Sequence, residues 1–226
     1  MGREPLFADR REAGRALAER LSAFARRRPV ILALPRGGVP VAFEVARALE
    51  APLDLLIVRK IGLPGHEEYG IGAVVDGASP QVVMNDDLVA RLRPDLDAVR
   101  RTIQREMQEI ERRRSVYLAG REPIDLAGRV VIIVDDGIAT GGTVRAALKA
   151  VRKNDPDALI LAVPLAPPDM IIELTRDCDL FVHLEAPHPF DAVGAHYRDF
   201  RQVGDEEVIA LLDEAKQFAP DALAAS

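Results

Sequence analysis

Five consecutive apolar residues, at positions 130–134, lead directly into two adjacent carboxylates, Asp135 and Asp136. An unbroken apolar run of this length is typical of a strand that is buried on both faces of a sheet. A turn rich in small residues follows, and a helix is predicted from about Thr143 to Arg152. The pattern therefore predicts a carboxylate pair at the tip of a buried strand, beside a turn that opens a helix.

Further apolar runs alternate with amphipathic segments along the chain. They predict strands at 30–34, 53–58, 158–165 and 180–184, with helices in several of the intervals. Strand, helix and strand within about 30 residues form a βαβ unit, whose two strands are parallel. We therefore expect an α/β fold with a doubly wound, mostly parallel sheet, in which ligands bind beyond the carboxyl ends of the strands.

Composition limits the partners that the chain can have. It has 226 residues, a formal net charge of −6 and one cysteine, Cys178. A negative net charge argues against nucleic acid as a partner, and one cysteine cannot form an internal disulfide. No apolar run approaches the roughly 20 residues that span a bilayer. We expect a cytoplasmic protein with no nucleic-acid or membrane partner, folded as one domain over 1–220 with a frayed tail at 221–226.

The middle of the chain predicts a loop, a hairpin and a helical insertion. Residues 59–72 are rich in glycine and charge, and we expect a mobile loop there. Residues 73–75 and 81–84 flank a turn and predict a hairpin. An insertion at 86–120 is expected to be helical, because apolar residues recur at spacings of three and four and could pack on the main domain or on a second subunit. This apolar stripe consists of Leu96, Val99, Ile103, Met107 and Ile110.

The turn after the carboxylate pair has the composition of an anion-binding loop. Backbone N–H groups at such a turn, together with the dipole of the helix N-terminus, bind an anion without a cationic side chain. The carboxylates would repel the same anion, but they accept hydrogen bonds from the hydroxyl groups of a neutral polyol. A phosphate beside a diol describes a ribose 5-phosphate. The loop residues are Ala139, Thr140, Gly141, Gly142 and Thr143.

Residues 131–143, called the signature segment below, resemble the signature of the type I phosphoribosyltransferases. The resemblance implies that Asp135 and Asp136 hold the ribose hydroxyls of 5-phosphoribosyl-1-pyrophosphate (PRPP) and that the turn after them cradles its 5-phosphate. It also implies that Gly137 and Ile138 lie beside the base. The family usually has an apolar side chain at the position of Gly137, so we expect an enlarged or reshaped base pocket.

The turn after the first predicted strand also resembles this family. Arg36, Gly37 and Gly38 lie there and are similar to its pyrophosphate loop, a tight turn whose amides face the diphosphate. The resemblance implies that the two glycines bring the backbone close to the diphosphate and that Arg36 offsets its charge.

A third segment resembles the catalytic loop of adenine phosphoribosyltransferases. Residues 59–70 carry a similar Arg-Lys, Leu-Pro-Gly and Glu-Tyr-Gly series, with a shorter interval between the last two motifs. The resemblance implies that Arg59 and Lys60 assist the pyrophosphate and that Lys60 and Glu68 are catalytic, with Glu68 managing a proton on the incoming base.

Substrate choice in this family comes from a variable hood. We expect the hood of this chain to consist of residues 1–28 and 187–204. Within it, Asp9 and Glu12 suit the N-cap and N3 positions of a helix. Phe190 is the candidate for stacking on the base.

Together these segments predict a phosphoribosyltransferase whose core covers about 29–185. The resemblance implies transfer of phosphoribose from PRPP to a nitrogenous base, with a purine as one candidate, and release of pyrophosphate. It also implies a homodimer, and Mg2+ that is bound through the ligand and waters rather than directly by side chains. Two alternatives stay open. One is a non-catalytic regulatory protein that binds PRPP or a nucleotide, and the other is hydrolysis or transfer to something other than a nucleobase.

Overall fold

The structure, a computed structural model, describes residues 4–77, 80–119 and 121–218. In chain order its strands and α-helices are α1 (Arg10–Leu21), β1 (Val30–Ala33), α2 (Gly38–Leu49), β2 (Leu53–Leu55), β3 (Val58–Leu63), β4 (His66–Val75), β5 (Gln81–Met84), α3 (Asp86–Leu92), α4 (Leu96–Leu118), β6 (Val130–Val134), α5 (Gly142–Arg152), β7 (Ala158–Leu165), α6 (Pro168–Leu174), β8 (Leu180–Glu185) and α7 (Asp205–Ala215). Short 3-10 turns are present at Ser22–Arg27 and Val193–His196.

Five of the strands form one parallel sheet in the order β2-β1-β6-β7-β8. Each corresponds to a predicted strand, although β2 ends at Leu55 rather than at residue 58. Every residue of β1 and β6 is buried, as expected for central strands that helices cover on both faces. The predicted α/β fold with a doubly wound, mostly parallel sheet is therefore confirmed.

Alternate residues of the parallel strands point into two apolar layers. Ile31 and Ile132 pack in the layer that also contains residues of α1, α2, α4 and α7. Leu32 and Ile133 pack in the opposite layer, with residues of α5 and α6. Because strands fixed on both faces have no freedom to slide, the tip of β6 holds a defined position for the carboxylates that follow it.

Helix α1 begins where the capping pattern predicts. The Asp9 side chain accepts a hydrogen bond of 2.8 Å from the Glu12 N–H, and the Glu12 carboxylate accepts one from the Ala8 N–H. At Gly14 the helix lies so close to α2 that a Cβ would stand 2.7 Å from the Val41 carbonyl oxygen. The capping and this close packing fix Arg10, the first residue of α1, relative to the sheet.

The mobile loop predicted at 59–72 is wrong, because these residues form most of an antiparallel hairpin. Strands β3 and β4 pair around a turn at Gly65, which has φ of +81°, and β5 pairs with β4. Ile61 and Ile71 are completely buried and anchor the hairpin. A side chain at Gly62 would overlap the backbone of Glu67. Gly62, and likewise Gly72 beside the Val83 carbonyl oxygen, therefore allow close strand packing. The pairing of β4 with β5 confirms the hairpin predicted from 73–75 and 81–84.

The predicted insertion contains the two helices α3 and α4, and α4 docks on its own domain. Val99 and Ile110 are buried, and Ile103 and Met107 pack against the same apolar layer. Leu96, the first residue of the predicted stripe, is 59% exposed. The contacts of α4 are with the small antiparallel sheet and with α7. Within the described part of the chain, no helix is long and apolar enough to cross a membrane.

The two predicted hood segments are hydrogen-bonded to each other. The N–H groups of Leu6 and Phe7 both donate to the His196 carbonyl, at 2.8 and 3.1 Å, and the Arg198 N–H donates to Phe7 O at 2.9 Å. The Tyr197 ring packs on the Phe7 ring with centroids 5.6 Å apart. These contacts bring the N-terminal segment to the carboxyl edge of the sheet. The tail predicted to fray at 221–226 lies outside the described residues.

Candidate active site

Asp135 and Asp136 stand at the carboxyl end of β6, and their carboxylates have different partners. The Asp135 carboxylate accepts a 2.9 Å hydrogen bond from the Asp136 N–H. The Asp136 carboxylate accepts one of 2.8 Å from Arg10 Nε, and the Tyr197 hydroxyl donates to the Asp136 carbonyl at 2.6 Å. One carboxylate is therefore paired with a cation from α1, whereas among the described residues the other receives only a backbone donor.

Both carboxyl groups are easier to protonate than an ordinary aspartate. Desolvation by the surrounding protein raises the pKa of Asp135 well above its usual value, and the neighbouring charge of Asp136 raises it further. Desolvation also raises the pKa of Asp136, but the hydrogen bond and the charge of Arg10 oppose that rise. A hydroxyl-rich ligand would satisfy both groups by donating hydrogen bonds to them.

The predicted pyrophosphate loop packs directly against the signature segment. The Leu34 N–H donates to Val134 O at 2.9 Å. A Cβ at Gly37 would overlap the Asp136 carboxylate, and a Cβ at Gly38 would lie 2.8 Å from the Val134 carbonyl oxygen. Only glycine allows this approach, so two segments about a hundred residues apart meet at the carboxylate pair.

The side chain of Arg36 points from this loop toward α7. Its Nη1 lies 3.3 Å from Asp205 Oδ1, and the Tyr117 hydroxyl donates to the same oxygen at 2.7 Å. The Pro35–Arg36 peptide bond is cis. Since the Arg36 side chain is only partly buried, its remaining N–H groups are accessible to an anion at the loop.

The turn predicted to bind the 5-phosphate opens helix α5. Ala139 and Thr140 are exposed, and Gly141 is the N-cap with φ of +70°. None of the described side chains caps this helix, and the space around a Cβ at Gly142 is open. The first N–H groups of α5 therefore face a space in which an anion could accept their hydrogen bonds.

Two clefts flank these loops. One, of about 400 Å³, lies on the pyrophosphate-loop side and is lined by Arg10, Arg36, Gly37, Asp136, Phe200, Gln202 and Val203. The other, of about 550 Å³, lies between the start of α5 and the small sheet, and its lining includes Lys60, Asp86, Gly142, Thr143 and Lys149. Of the predicted site residues, three thus line the first cleft and three the second: Arg36, Gly37 and Asp136, and Lys60, Gly142 and Thr143.

The structure separates Arg59 from Lys60, although both were predicted to bind pyrophosphate. Successive side chains of a strand point to opposite faces. On β3, Arg59 points toward α4, where its Nε donates to Glu106 at 2.8 Å, whereas Lys60 lines the cleft beside Gly142. In the structure the Arg59 side chain is thus engaged with Glu106, and its assistance to the pyrophosphate stays a prediction. Glu68 is exposed on β4.

The three predicted base-binding residues lie in different surroundings. A Cβ at Gly137 would stand 2.7 Å from Val193 Cγ1, so a hood side chain fills the space that the glycine leaves. An enlarged or reshaped base pocket at this position stays a prediction. Ile138 is 2% exposed and packs in the core, which leaves little of its side chain for a base to contact. Phe190 is partly buried, with its ring centroid 5.2 Å from that of His196.

Three further side chains at the carboxylate pair were not among the predicted site residues. They are Arg10, Tyr197 and Phe200. The capping pattern predicted the start of α1 at Arg10, but no pattern in the sequence indicates that this side chain reaches Asp136. The aromatic residues of the hood segment were a signal for the other two.

Comparison with known proteins agrees with this geometry. The family model described as "Phosphoribosyl transferase domain" matches residues 7–182. Two curated Mycobacterium tuberculosis proteins, from strains CDC 1551 and H37Rv and each named "Putative phosphoribosyl transferase", are 46% identical to this chain over 215 residues, covering 95% of this chain and 48% of each relative. The chain thus spans about half the length of these curated relatives.

A solved structure is similar over nearly the whole fold. The crystal structure of TT1426 from Thermus thermophilus is 42% identical in sequence and has a TM-score of 0.80, with 92% of this chain and 98% of that chain covered. The carboxylate pair, the glycine turns and the parallel sheet lie within the residues that the family model matches, apart from the last strand residues beyond 182. This chain belongs to the phosphoribosyl transferase domain family, a family of pentosyltransferases.

Proposed function

We propose that the chain binds PRPP and transfers its phosphoribosyl group to a nitrogenous acceptor, with release of pyrophosphate. The observation that carries this proposal is the contact of Gly37 with the Asp136 carboxylate. It joins a glycine turn suited to a diphosphate to a carboxylate pair suited to a diol. The uncapped start of α5 follows the same pair and suits a 5-phosphate.

The proposed ligand would lie across the tip of β6. Its 5-phosphate would accept hydrogen bonds from the turn at 139–143, and its ribose hydroxyls would donate to Asp135 and Asp136. Its diphosphate would lie over the loop that contains Arg36. Lys60 lines the cleft beside Gly142 and Thr143, so we assign its charge to the 5-phosphate end of the ligand rather than to the diphosphate.

Magnesium is part of the proposal. Among the described residues, no group of three or more His, Cys, Asp or Glu side chains could hold a metal ion. The pyrophosphate loop and the carboxylate pair would instead hold the ligand. Mg2+ would then be bound by the diphosphate, the ribose hydroxyls and waters, which are the oxygen ligands that this ion prefers. When bound, the ion would neutralise charge on the departing diphosphate.

The residues of the chain would orient the ribose and offset charge during transfer. A bond forms between the acceptor nitrogen and C1 of the ribose, while the bond from C1 to the diphosphate oxygen breaks and its electron pair leaves with pyrophosphate. Arg36 would offset the negative charge of the leaving group. Glu68 would take the proton released by the acceptor, and a Glu68→Gln variant with unchanged turnover would remove it from this role.

The acceptor would enter from the hood side. Phe190 and Val193 pack in one apolar cluster with Leu165 at the end of β7, beside Gly137. This surrounding favours a planar, partly apolar acceptor, and purine bases are the first to test.

We also propose a homodimer. A monomer in analytical ultracentrifugation at assay concentrations would refute it.

One observation favours the regulatory alternative. Residues 59–72, which were expected to be a mobile loop and resemble a catalytic loop, lie in a paired hairpin, and Arg59 is bonded to Glu106. A sensor needs no closing segment. Because sensor and enzyme share the PRPP site, binding alone does not separate them, whereas turnover does.

Calorimetric titration with PRPP and Mg2+ tests the proposal. We expect binding by the wild-type chain and its loss in the double variant Asp135→Ala/Asp136→Ala. Asp213→Ala is the matched control, because this carboxylate is exposed on α7 and bonds to Lys216 at 2.7 Å. A folded wild-type chain that does not bind PRPP, or a double variant that binds as well as wild type, would refute the proposed site. Screening bases for pyrophosphate release then separates the enzyme from the sensor.

A further inference from the structure

Arg10 is a buried cation whose contacts lie at the ribose end of the proposed site. Its Nε donates to Asp136 Oδ2 at 2.8 Å, and its Nη1 donates to the Arg201 carbonyl at 2.9 Å. The side chains of Arg10 and Asp136 are 10% and 13% exposed. We propose that Arg10 is a positioning residue, which holds the Asp136 carboxylate in place for the ribose and does not itself bind the diphosphate. This inference rests on the proposed function.

The local structure fixes the backbone of Arg10. It is the first residue of α1, whose start is capped by Asp9 and Glu12. Four residues later, Gly14 packs against α2, which itself begins in the pyrophosphate loop. The backbone of Arg10 is therefore held on the same framework as the carboxylate that its side chain meets.

The hood fixes the other end of the side chain. The guanidinium carbon of Arg10 lies 3.8 Å from the centroid of the Phe200 ring, and Tyr197 stacks on that ring with centroids 5.2 Å apart. The Tyr197 hydroxyl donates to the carbonyl of Asp136. The backbone and the carboxylate of one residue are thus both held by this arginine–aromatic stack.

The contact leaves one carboxylate oxygen for the ligand. Arg10 bonds to Oδ2 of Asp136, the same oxygen that lies against Gly37. A ribose hydroxyl would therefore approach Oδ1. Held on Oδ2 by a guanidinium that is itself fixed at a second point, the carboxylate cannot rotate without breaking a buried charge-assisted hydrogen bond. This arrangement fits orientation of Asp136 better than direct contact of Arg10 with the substrate.

Three ligands separate a positioning role from direct contact: PRPP, ribose 5-phosphate, and inorganic pyrophosphate, each titrated with Mg2+ by calorimetry. In Arg10→Gln we expect the affinity for PRPP and for ribose 5-phosphate to fall by about tenfold or more, while the affinity for pyrophosphate stays within about twofold of wild type. Arg10→Lys keeps the charge and one donor, so it should recover part of the loss.

The matched control is Arg11→Gln, which removes the next arginine of α1, whose Nε bonds to Glu44 of α2 at 2.6 Å. Its ligand affinities should equal those of wild type. A double-mutant cycle adds a second test. In an Asp136→Asn background, Arg10→Gln should lower the affinity for ribose 5-phosphate little further, because the Asp136 carboxylate, through which Arg10 acts, is already neutralised.

Several outcomes would overturn the inference. An equal loss of pyrophosphate affinity in Arg10→Gln would make Arg10 a diphosphate ligand, and unchanged affinity for all three ligands would leave it without a role. Losses that add in the double-mutant cycle would also contradict it. In each case the proposed PRPP site stands if wild type binds PRPP and the Asp135→Ala/Asp136→Ala variant does not. A wild type that binds no PRPP refutes the proposed function and this inference with it.

Discussion

At the scale of single residues, Asp135 and Asp136 are neighbours in the chain but differ in charge compensation. Asp136 is paired with Arg10, whereas Asp135 accepts a hydrogen bond from the backbone N–H of Asp136. Desolvation raises the pKa of both carboxyl groups, and most strongly that of Asp135. A group placed where its charge is unfavourable without a ligand is common at binding sites, because the site is built for the liganded state.

The raised pKa values of Asp135 and Asp136 make the stability of the ligand-free fold depend on pH. Because the folded protein binds these protons more tightly than the unfolded chain does, the free energy of unfolding falls as pH rises from the ordinary Asp pKa through the raised values. Asp135→Asn removes the charge, so the ligand-free variant should be more stable than wild type at neutral pH by about 1 kcal/mol. Its stability should also depend less on pH. Thermal unfolding at several pH values measures both effects.

The control for this prediction is Asp213→Asn, an exposed carboxylate on α7. It should leave the pH dependence of unfolding as in wild type. If Asp135→Asn lowered the melting temperature at neutral pH, the charge of the Asp135 carboxylate would be stabilising rather than unfavourable in the ligand-free fold.

At the scale of elements, the hood and the signature segment fit together through one small residue. A Cβ at Gly137 would stand 2.7 Å from Val193 Cγ1 and 3.0 Å from Leu165 Cδ1. Gly137→Ala should therefore destabilise the fold by about 1–3 kcal/mol through overpacking. Adding Val193→Ala should recover much of this loss, since it removes the nearest atoms. Denaturant unfolding of both variants measures the recovery.

Gly70→Ala is a suitable control, because nothing lies within 4 Å of a Cβ at that glycine. It should unfold close to wild type. A double variant at 137 and 193 that is less stable than Gly137→Ala alone would show that Val193 does not fill the space beside Gly137.

The helix α4 is fastened to the small sheet by a buried ion pair. Arg114 Nη1 lies 2.6 Å from Asp76 Oδ2, and the Asp76 side chain is almost completely buried. Desolvation raises the pKa of Asp76, while Arg114 opposes that rise. Arg114→Gln leaves a buried carboxylate unpaired, so we expect a loss of about 3 kcal/mol at neutral pH. The loss should be smaller in acid, where Asp76 is protonated.

Arg112→Gln on the same helix is the matched control. Its guanidinium is solvent-exposed and pairs with Glu109, so its removal should leave the unfolding midpoint near that of wild type. If Arg114→Gln lowered the free energy of unfolding as little as Arg112→Gln, α4 would be held by its apolar contacts and not by the pair with Asp76.

At the scale of the whole molecule, the sheet and the position of the carboxylate pair were predictable from the sequence. Strands buried on both faces must be apolar throughout, so β6 and β7 are visible as uninterrupted runs. The carboxylates follow β6 without a break, which places them at its carboxyl end. A glycine that allows two backbones to approach each other also leaves a local signal, as at Gly38.

Other features depend on contacts that a single sequence does not reveal. Residues 59–72 have the composition of a loop, but buried Ile61 and Ile71 and a close strand pairing make them a hairpin. Because successive side chains of a strand point to opposite faces, the side chains of Arg59 and Lys60 on β3 then point in opposite directions. Arg10 meets Asp136 across 126 positions of chain, through a helix and a hood whose docking is a property of the folded molecule.

The structure of the chain crystallised with PRPP and Mg2+ tests the central claim most directly. We expect the 5-phosphate on the N–H groups of residues 139–143, the ribose hydroxyls on Asp135 and Asp136, and the diphosphate over Arg36, Gly37 and Gly38. A ligand bound in the cleft lined by Asp86 and Lys149, with no contact to the carboxylate pair, would contradict the account.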